Sequence, residues 1–187
     1  PLALRLIPLA EELENPVLVT RLLDHAEKSA EDEIESGWVK FETLRLNNST
    51  VDDFVELAAT VEKLEIGKPL AAAVLHHVGL MYLGGEQFNE CTVFTTRSMR
   101  IREQLDDQAG LVYSLAVLEA CEKRQNQHDS ALVHGTRRLE ILSRLGDQEG
   151  LMESMADVAH TQATMGNFDA AIDLYNQSLE LSNTLED

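Results

Sequence analysis

An internal repeat is the feature that most constrains the fold of this chain. The block Asp107-Gln108-Ala109-Gly110-Leu111 recurs as Asp147-Gln148-Glu149-Gly150-Leu151. Further identities at the same offset are Ser114 with Ser154, Ala116 with Ala156, Asp129 with Asp169, Ala131 with Ala171, Leu139 with Leu179, Glu140 with Glu180 and Leu145 with Leu185. Because units of this length bury their apolar faces by stacking on one another, the repeat predicts an array of similar elements.

The repeat divides most of the chain into copies. Three copies are expected at 67–106, 107–146 and 147–187, and residues 27–66 are interpreted as a degenerate helix pair. Within that pair, Ser49 and Asp52 have the spacing of a capping box. Residues 1–26 are expected to form an N-terminal capping helix region, whose helix starts at Asn15-Pro16. An amphipathic pattern then runs from Val17 to Leu44, with Gly37 as an expected interruption. The missing initial Met is interpreted as a trimmed chain or a piece of a longer protein.

Each copy predicts two helices joined by a short turn. Apolar residues at spacings of three and four predict helices over 148–164 and 168–184, separated by Met165-Gly166-Asn167. The corresponding breaks are expected at 125–127 and 84–86. Gaps as short as these force neighbouring helices to run antiparallel.

Two segments resemble the signature of the tetratricopeptide repeat family. These are Gly79-Leu80-Met81-Tyr82 and Gly166-Asn167-Phe168-Asp169-Ala170-Ala171. The repeat length, which is the offset from Asp107 to Asp147, is similar to that of the longer tetratricopeptide repeats found in kinesin light chains and bacterial signalling proteins. The resemblance implies an all-α fold, a right-handed superhelical array of antiparallel helix pairs (a TPR-like α-solenoid). Small residues that would allow close helix packing are Gly79, Cys91, Ala131, Ala159 and Ala171.

Some positions depart from the family pattern. The second copy has Glu119 and Glu122 where a small residue and an aromatic are expected, and Asn126 and His128 at the turn. In the third copy, Gln162 replaces the Tyr. The helix pair of the second copy is therefore expected to pack more loosely or to tilt differently.

Charge and composition exclude several classes of function. The net charge is −18, and residues 145–187 hold nine Asp and Glu with no Lys or Arg. A chain this acidic is a poor ligand for nucleic acid or an anionic membrane, and attraction to a basic peptide is the alternative to simple solubility. No apolar stretch approaches the length of a membrane span.

Two cysteines, Cys91 and Cys121, are expected to be reduced thiols in a cytoplasmic protein. A disulfide bridge between them is the alternative that the sequence leaves open.

No pattern of catalytic, cofactor-binding or metal-ligating residues is present in the sequence. His76 and His77 are adjacent on a predicted helix and would point about 100° apart, which makes a poor chelate. There is no Gly-rich phosphate loop, nucleophile elbow or zinc spacing. The chain is therefore predicted not to be an enzyme and to need no cofactor.

The tetratricopeptide resemblance implies that the first helix of each pair lines a concave, partner-binding groove. The matching residues are Ala73, His76, His77, Leu80, Leu83, Tyr113, Ala116, Val117, Ala120, Lys123, Arg124, Glu153, Ala156, Asp157, His160 and Thr164. This surface is small and apolar, with a basic rim at Lys123-Arg124 and an acidic end at Glu153 and Asp157. The Lys, Arg and Asn that hold chaperone carboxyl termini in some members are missing, so an amphipathic helix or an extended peptide fits better.

The final helix offers a second candidate surface. Leu174, Tyr175, Leu181 and Leu185 are expected to be exposed where a following helix would pack, and they predict a homodimer or continuation into further chain. Together these features predict a protein-interaction scaffold or sensor module of a larger regulatory protein. The alternative is a regulatory domain that senses a small ligand or peptide.

Overall fold

The computed structural model describes residues 2–64 and 67–186, and all regular structure in these residues is helical. The helices are α1 (Leu2–Arg5), α2 (Ile7–Glu12), α3 (Pro16–Ser29), α4 (Glu33–Leu46), α5 (Val51–Val61), α6 (Lys68–Gly84), α7 (Phe88–Gln104), α8 (Gln108–Arg124), α9 (His128–Leu145), α10 (Gln148–Thr164) and α11 (Phe168–Glu186). The chain divides into two compact units, one up to Val78 and one from Gly79 onward. None of the described helices is long and apolar enough to cross a membrane.

In the second unit, the predicted breaks between helices are confirmed, the first at 85–87 instead of 84–86, and they share one backbone geometry. One residue of each turn adopts a left-handed conformation, and these residues recur at a constant interval of half a repeat: Glu86, Asp106, Asn126, Gly146 and Gly166. The next residue donates its N–H to the carbonyl five positions earlier, as Asn167 does to Gln162 at 2.9 Å. This bond satisfies a carbonyl that the helix end leaves free, and it reverses the chain. Equal spacing therefore makes helices α7 to α11 successive antiparallel neighbours.

The small residues predicted to allow close packing are confirmed as buried. Cys91, Ala131 and Ala159 are fully buried, and Ala171 is 3% exposed. Gly79 marks a close approach of two helices, because an added Cβ would lie 2.2 Å from Thr95 Oγ1 of α7. Only glycine allows α6 and α7 to approach this closely.

The Asp-Gln-x-Gly-Leu block is a helix start. Asp107 accepts a hydrogen bond from the Gly110 N–H at 2.8 Å, and Asp147 accepts one from Gly150 at 2.9 Å. An added Cβ on Gly110 would lie 2.0 Å from Asp107 Oδ2. The glycine is thus required because the capping carboxylate occupies the space of a side chain, which explains why this block is repeated.

In the first unit, three sequence interpretations need correction. The amphipathic pattern from Val17 to Leu44 is broken at residues 30–32, between α3 and α4, while Gly37 lies inside α4. The cap of α5 lies one residue later than expected: Thr50 donates its N–H to Asp53 Oδ2 at 2.9 Å, so Ser49 and Asp52 do not form the capping box. The N-terminal segment holds α1 and α2 in addition to α3.

The helix start at Asn15-Pro16 is confirmed, because Asn15 Oδ1 accepts from the Leu18 N–H at 3.0 Å. The boundaries of the three repeats, of the capping region 1–26 and of the degenerate pair 27–66 stay a prediction.

Candidate functional site: a pocket between α8, α9 and α10

An open pocket of about 350 Å³ lies in the second unit, between the first helices of two adjacent pairs. Its lining comes from α8, α9 and the start of α10: Ala109, Val112, Tyr113, Ala116, Arg138, Leu142, Leu145, Asp147, Glu149, Gly150, Glu153 and Ser154. Three residues predicted to line the groove, Tyr113, Ala116 and Glu153, are thus brought together around one cavity. Tyr113 is 63% exposed, so its ring forms an accessible wall.

A network of four charged residues, Glu119, Lys123, Arg138 and Asp157, adjoins the pocket through Arg138, which is part of the lining. Arg138 donates Nη2 to Asp157 Oδ2 at 2.7 Å and lies 3.3 Å from Glu119 Oε2. Lys123 Nζ donates to Glu119 Oε1 at 3.1 Å and to Asp157 Oδ1 at 3.2 Å. Two carboxylates face two cations, so the network is neutral and leaves no excess positive charge for an anionic ligand.

Burial and charge act in opposite directions on the two carboxylates. Burial raises the pKa of Glu119, although the charges of Arg138 and Lys123 pull it down. Burial also favours a higher pKa for Asp157, but the hydrogen bond from Arg138 and the charge of Lys123 outweigh it, and that pKa is lowered. Asp157 is therefore ionised at neutral pH and holds both cations in place.

Glu119 and Glu122, the residues that depart from the family pattern, are buried in the second pair. Their side chains are 1% and 7% exposed, because α9 supplies partners for both. Glu122 Oε2 lies 2.7 Å from His134 Nδ1, and Glu119 meets Arg138. Pairing of Glu119 and Glu122 with residues of α9 therefore stands where the family pattern has a small residue and an aromatic residue.

The predicted basic rim is reduced to one residue. Lys123 is committed to the internal network, whereas the Arg124 side chain is 65% exposed and lies 3.9 Å from Glu86 Oε1. The predicted acidic end is likewise divided, since Asp157 is in the network and Glu153 is exposed.

Two other predicted groove residues belong to cores. Val117 is 6% exposed and packs with Cys91 and Cys121, so it cannot contact a partner on the surface, and Leu83 packs against the same cluster. These corrections arise because an α-helix with neighbours on two sides leaves only a narrow face open.

His77 in the first unit is also a correction. Its ring centroid lies 4.6 Å from that of Phe54 and 5.7 Å from that of Phe41. Burial lowers the pKa of His77, and the charge of Arg45 lowers it further. His77 is therefore part of the aromatic core of that unit and is neutral at pH 7.

The remaining predicted groove residues lie at or near the surface outside the pocket. Ala73 and His76 are half-buried in the first unit, Ala120 and Ala156 are half-buried in the second, and Leu80, His160 and Thr164 are exposed. The structure does not gather these residues around one cavity.

Sequence reasoning missed the contribution of α9 to the pocket. Arg138, Leu142 and Leu145 come from the second helix of a pair, whereas the family register pointed only to first helices. The sequence did contain a signal for this contribution, because Arg138 lies on the same helix face as the buried residues Ala131, Gly135 and Leu142. A charged residue in such a phase needs a buried partner.

On α11, the exposed face differs from the predicted one. Ser178 Oγ donates to the Met152 carbonyl of α10 at 3.0 Å, which places this face inward. Leu174 and Leu181 lie on the same face and are half-buried, whereas Tyr175 and Leu185 are exposed as predicted. The outward strip consists of Phe168, Ile172, Tyr175 and Leu179.

Among the residues that the structure describes, no group of three or more His, Cys, Asp or Glu side chains could hold a metal ion. Cys91 and Cys121 are both buried and free. Burial raises the pKa of the Cys91 thiol to about 12, and the neighbouring Cys121 adds to the rise. Cys91 is thus a packing residue with the properties of an inert thiol.

The sequence matches no protein-family model and no curated protein sequence. Solved structures do resemble the fold. The apo form of RapI superposes with a TM-score of 0.77 at 12% identity, covering 100% of this chain and 71% of that chain. Aspartyl phosphate phosphatase F from Bacillus subtilis gives a TM-score of 0.75 at 14% identity, covering 91% of this chain and 47% of that chain. This chain therefore spans about half the length of the Bacillus subtilis protein.

The TPR domain of Arabidopsis FLU is a third similar structure. Its TM-score is 0.59 at 17% identity, and the match covers 63% of this chain and 98% of that domain. At these identities the likeness carries the fold alone. Helix pairs joined by short turns and the match to a TPR domain confirm the fold class predicted from the repeat. The chain is a TPR-like α-solenoid, built from antiparallel helix pairs.

Proposed function

We propose that this protein is a non-catalytic interaction module that holds a polypeptide segment in the pocket between α8, α9 and α10. The observation that carries the proposal is the pocket itself, which combines apolar walls with exposed acidic side chains in its lining. Val112, Tyr113 and Leu142 would contact aliphatic atoms, and Glu149 and Glu153 would face a positive charge. A Lys or Arg side chain of the bound segment has both properties, since its stem is apolar and its head is charged.

Charge supports a basic partner over an acidic one. Arg138 is the cation that lines the pocket, and Glu119 and Asp157 neutralise it. The chain as a whole carries a net charge of −18, which attracts a basic segment over a distance of several ångströms. We extend the proposal to a role in regulation in the cytoplasm, where the free thiols Cys91 and Cys121 would stay reduced.

The test is a titration of the protein with short helical and extended peptides that differ only in one central Lys, Arg or Gln. We expect the Lys and Arg peptides to bind and the Gln peptide to bind about tenfold more weakly. Tyr113→Ala and Glu153→Lys should both weaken binding of the basic peptides. Glu140→Lys is the matched control, because Glu140 is exposed on α9 and does not line the pocket. If Glu140→Lys weakens binding as much as Glu153→Lys, the pocket is not the site.

A second candidate is a regulatory domain that senses a small ligand. The pocket volume of about 350 Å³ lies within the range of small-molecule sites, which begins at about 300 Å³. A thermal-shift screen of cationic metabolites against the peptides distinguishes the two, since only the true ligand class raises the melting temperature in proportion to its concentration.

A further inference from the structure

The pocket of the proposed function has one aromatic wall, the ring of Tyr113. Two residues one helical turn away on α8 also line the pocket, Ala109 four positions before Tyr113 and Ala116 three positions after it. A methyl group is too short to cover an aromatic ring, and Tyr113 is accordingly 63% exposed. The ring therefore presents an accessible surface to a side chain that enters the pocket.

Two acidic residues of α10 stand opposite this wall. Tyr113 and Glu153 lie one full repeat apart, and so do Ala109 and Glu149. Residues at the same repeat position on successive first helices face the same way, because the pairs stack in the same orientation. All four residues line the pocket. Helix α8 thus contributes an aromatic ring to the cavity, and α10 contributes two carboxylates beside it.

The two carboxylates are available to a ligand. Glu149 and Glu153 are exposed and lie four positions apart on α10, which places them on one face of that helix. Within residues 2–64 and 67–186, neither side chain forms an ion pair or a hydrogen bond. Arg138, the cation of the lining, pairs instead with Glu119 and Asp157. The pocket therefore keeps two uncompensated negative charges next to its aromatic wall.

Arginine and lysine differ in how they can use such a pair of groups. The guanidinium of arginine is planar, so it stacks on an aromatic ring and still donates two N–H groups from its edge to a carboxylate. The ammonium of lysine is a compact, strongly hydrated charge that has no plane to stack. A cavity that combines an aromatic ring with carboxylates therefore fits the head group of arginine better.

We propose that the pocket selects arginine over lysine, with the guanidinium of the bound segment stacked on Tyr113 and its N–H groups donated to Glu149 and Glu153. This inference rests on the proposed function and names the basic side chain that the pocket takes. Val112 and Leu142 would contact the aliphatic stem of either residue, so the selectivity comes from the head group. Tyr113 is the residue that determines it.

The probes are labelled peptides that are identical except for one central residue, which is arginine, lysine or glutamine. Fluorescence anisotropy measures the Kd of each peptide with the protein. We expect the arginine peptide to bind about fivefold more tightly than the lysine peptide, which is the size of effect that stacking of a cation on an exposed ring supplies. The glutamine peptide should bind most weakly, because it has no charge.

Variants at Tyr113 assign the selectivity to the ring. Tyr113→Leu keeps an apolar contact for the aliphatic stem but removes the aromatic face, so the ratio of arginine to lysine affinity should fall to about one. Tyr113→Phe keeps the face and should keep the ratio. Tyr175→Leu is the matched control, because Tyr175 is 43% exposed on α11 and does not line the pocket. Since both affinities in a ratio are measured on the same variant, partial unfolding affects them equally.

Two results would overturn the inference and leave the proposed function in place. One is equal binding of the arginine and lysine peptides, both tighter than the glutamine peptide, which does not depend on how any variant folds. The other is a fivefold ratio that persists in Tyr113→Leu. Equal binding of all three peptides would contradict the proposed function itself, and the inference with it. A ratio lost in Tyr113→Leu but kept in Tyr113→Phe and Tyr175→Leu would support the inference.

Discussion

Individual residues at the turns and helix contacts set how the pairs fit together. Among the described residues, five of the seven left-handed positions hold a residue other than glycine: Glu14, Asn48, Glu86, Asp106 and Asn126. A side chain in this conformation costs roughly 1 kcal/mol, since Cβ approaches the following carbonyl oxygen. Gly79 is the opposite case, because there a side chain has no space at all.

Glu86→Gly should stabilise the protein by about 0.5–1 kcal/mol, because glycine adopts the left-handed turn without steric cost. Chemical denaturation of the purified variant measures the change. Glu90→Gly, four positions later on the exposed side of α7, is the control and should destabilise by about 1 kcal/mol. A loss of stability in both variants would show that the turn at Glu86 is not strained.

Gly79→Ala should destabilise the protein by about 1–3 kcal/mol, since the new methyl group would overlap Thr95 Oγ1. Gly84→Ala is the matched substitution at the end of the same helix, where no atom lies within 4 Å of the added Cβ. It should be neutral or stabilise by up to about 1 kcal/mol. The double variant Gly79→Ala with Thr95→Ser keeps the hydroxyl and removes only the methyl group of Thr95, so it tests whether the overlap involves the hydroxyl. Thermal unfolding compares the melting temperatures of the three variants.

At the scale of helices, the charge network joins three elements into one structural unit. Glu119 and Lys123 are on α8, Arg138 is on α9 and Asp157 is on α10. Arg138 also donates Nε to Ser154 Oγ at 2.9 Å, so its guanidinium spans two helices. The network therefore sets the relative position of the helices that form the pocket.

Asp157→Asn should destabilise the protein at pH 7 by about 1 kcal/mol, an estimate discounted for the partial exposure of Asp157. Its folded pKa is lowered below the usual 3.8, so its stabilising effect is present above that value and is lost as the pH falls through the lowered pKa.

The measurement is urea denaturation of both proteins from pH 7 to pH 2.5. The difference in unfolding free energy should persist down to about pH 4 and disappear below the lowered pKa. A difference that stays constant down to pH 2.5 would mean that the Asp157 carboxylate does not carry the effect.

At the scale of the whole molecule, the acidic charge is unevenly distributed. Residues 145–187 carry nine acids without a Lys or Arg, while the total charge is −18. Glu149 and Glu153, the exposed acidic residues of the pocket lining, belong to this region. The proposed pocket therefore selects for basic ligands by long-range attraction.

Raising the ionic strength from about 0.05 M to about 0.5 M should slow association of a Lys-containing peptide by about tenfold, since salt screens charges beyond a Debye length. Stopped-flow fluorescence measures the association rate. The Gln peptide is the control and should associate at a nearly constant rate. Equal salt dependence for both peptides would show that the acidic surface does not steer binding.

How much the sequence alone could predict differs between fold and site. The helix over 148–164 and the breaks at 125–127 and 165–167 follow from periodicity and turn residues, and the structure has them at these positions, while the break predicted at 84–86 lies one residue later, at 85–87. Local chemistry determines these features, so a single chain is enough to find them. The site depends on which side of each helix is covered by neighbours.

Val117 and Tyr113 show why the site was harder to predict. Both lie on α8 and both were predicted to line the groove, yet Val117 is 6% exposed and Tyr113 is 63% exposed. Moving four positions along a helix turns the side-chain direction by about 40°, and this small rotation separates core from surface when a helix has neighbours on two sides. Arg138 was missed for the related reason that its partners lie on two other helices.

The evenly spaced turns have a consequence for how such a chain can change in length. Each repeat block begins and ends at the same backbone geometry, so duplication or loss of one block in a gene would rejoin matching helix ends. A single inserted residue inside a helix, by contrast, would rotate everything after it by about 100° relative to its neighbours. The array therefore tolerates the gain or loss of a whole block but not small insertions within a helix. Ion pairs between neighbouring blocks, such as Arg138 with Asp157, require those particular blocks to be adjacent.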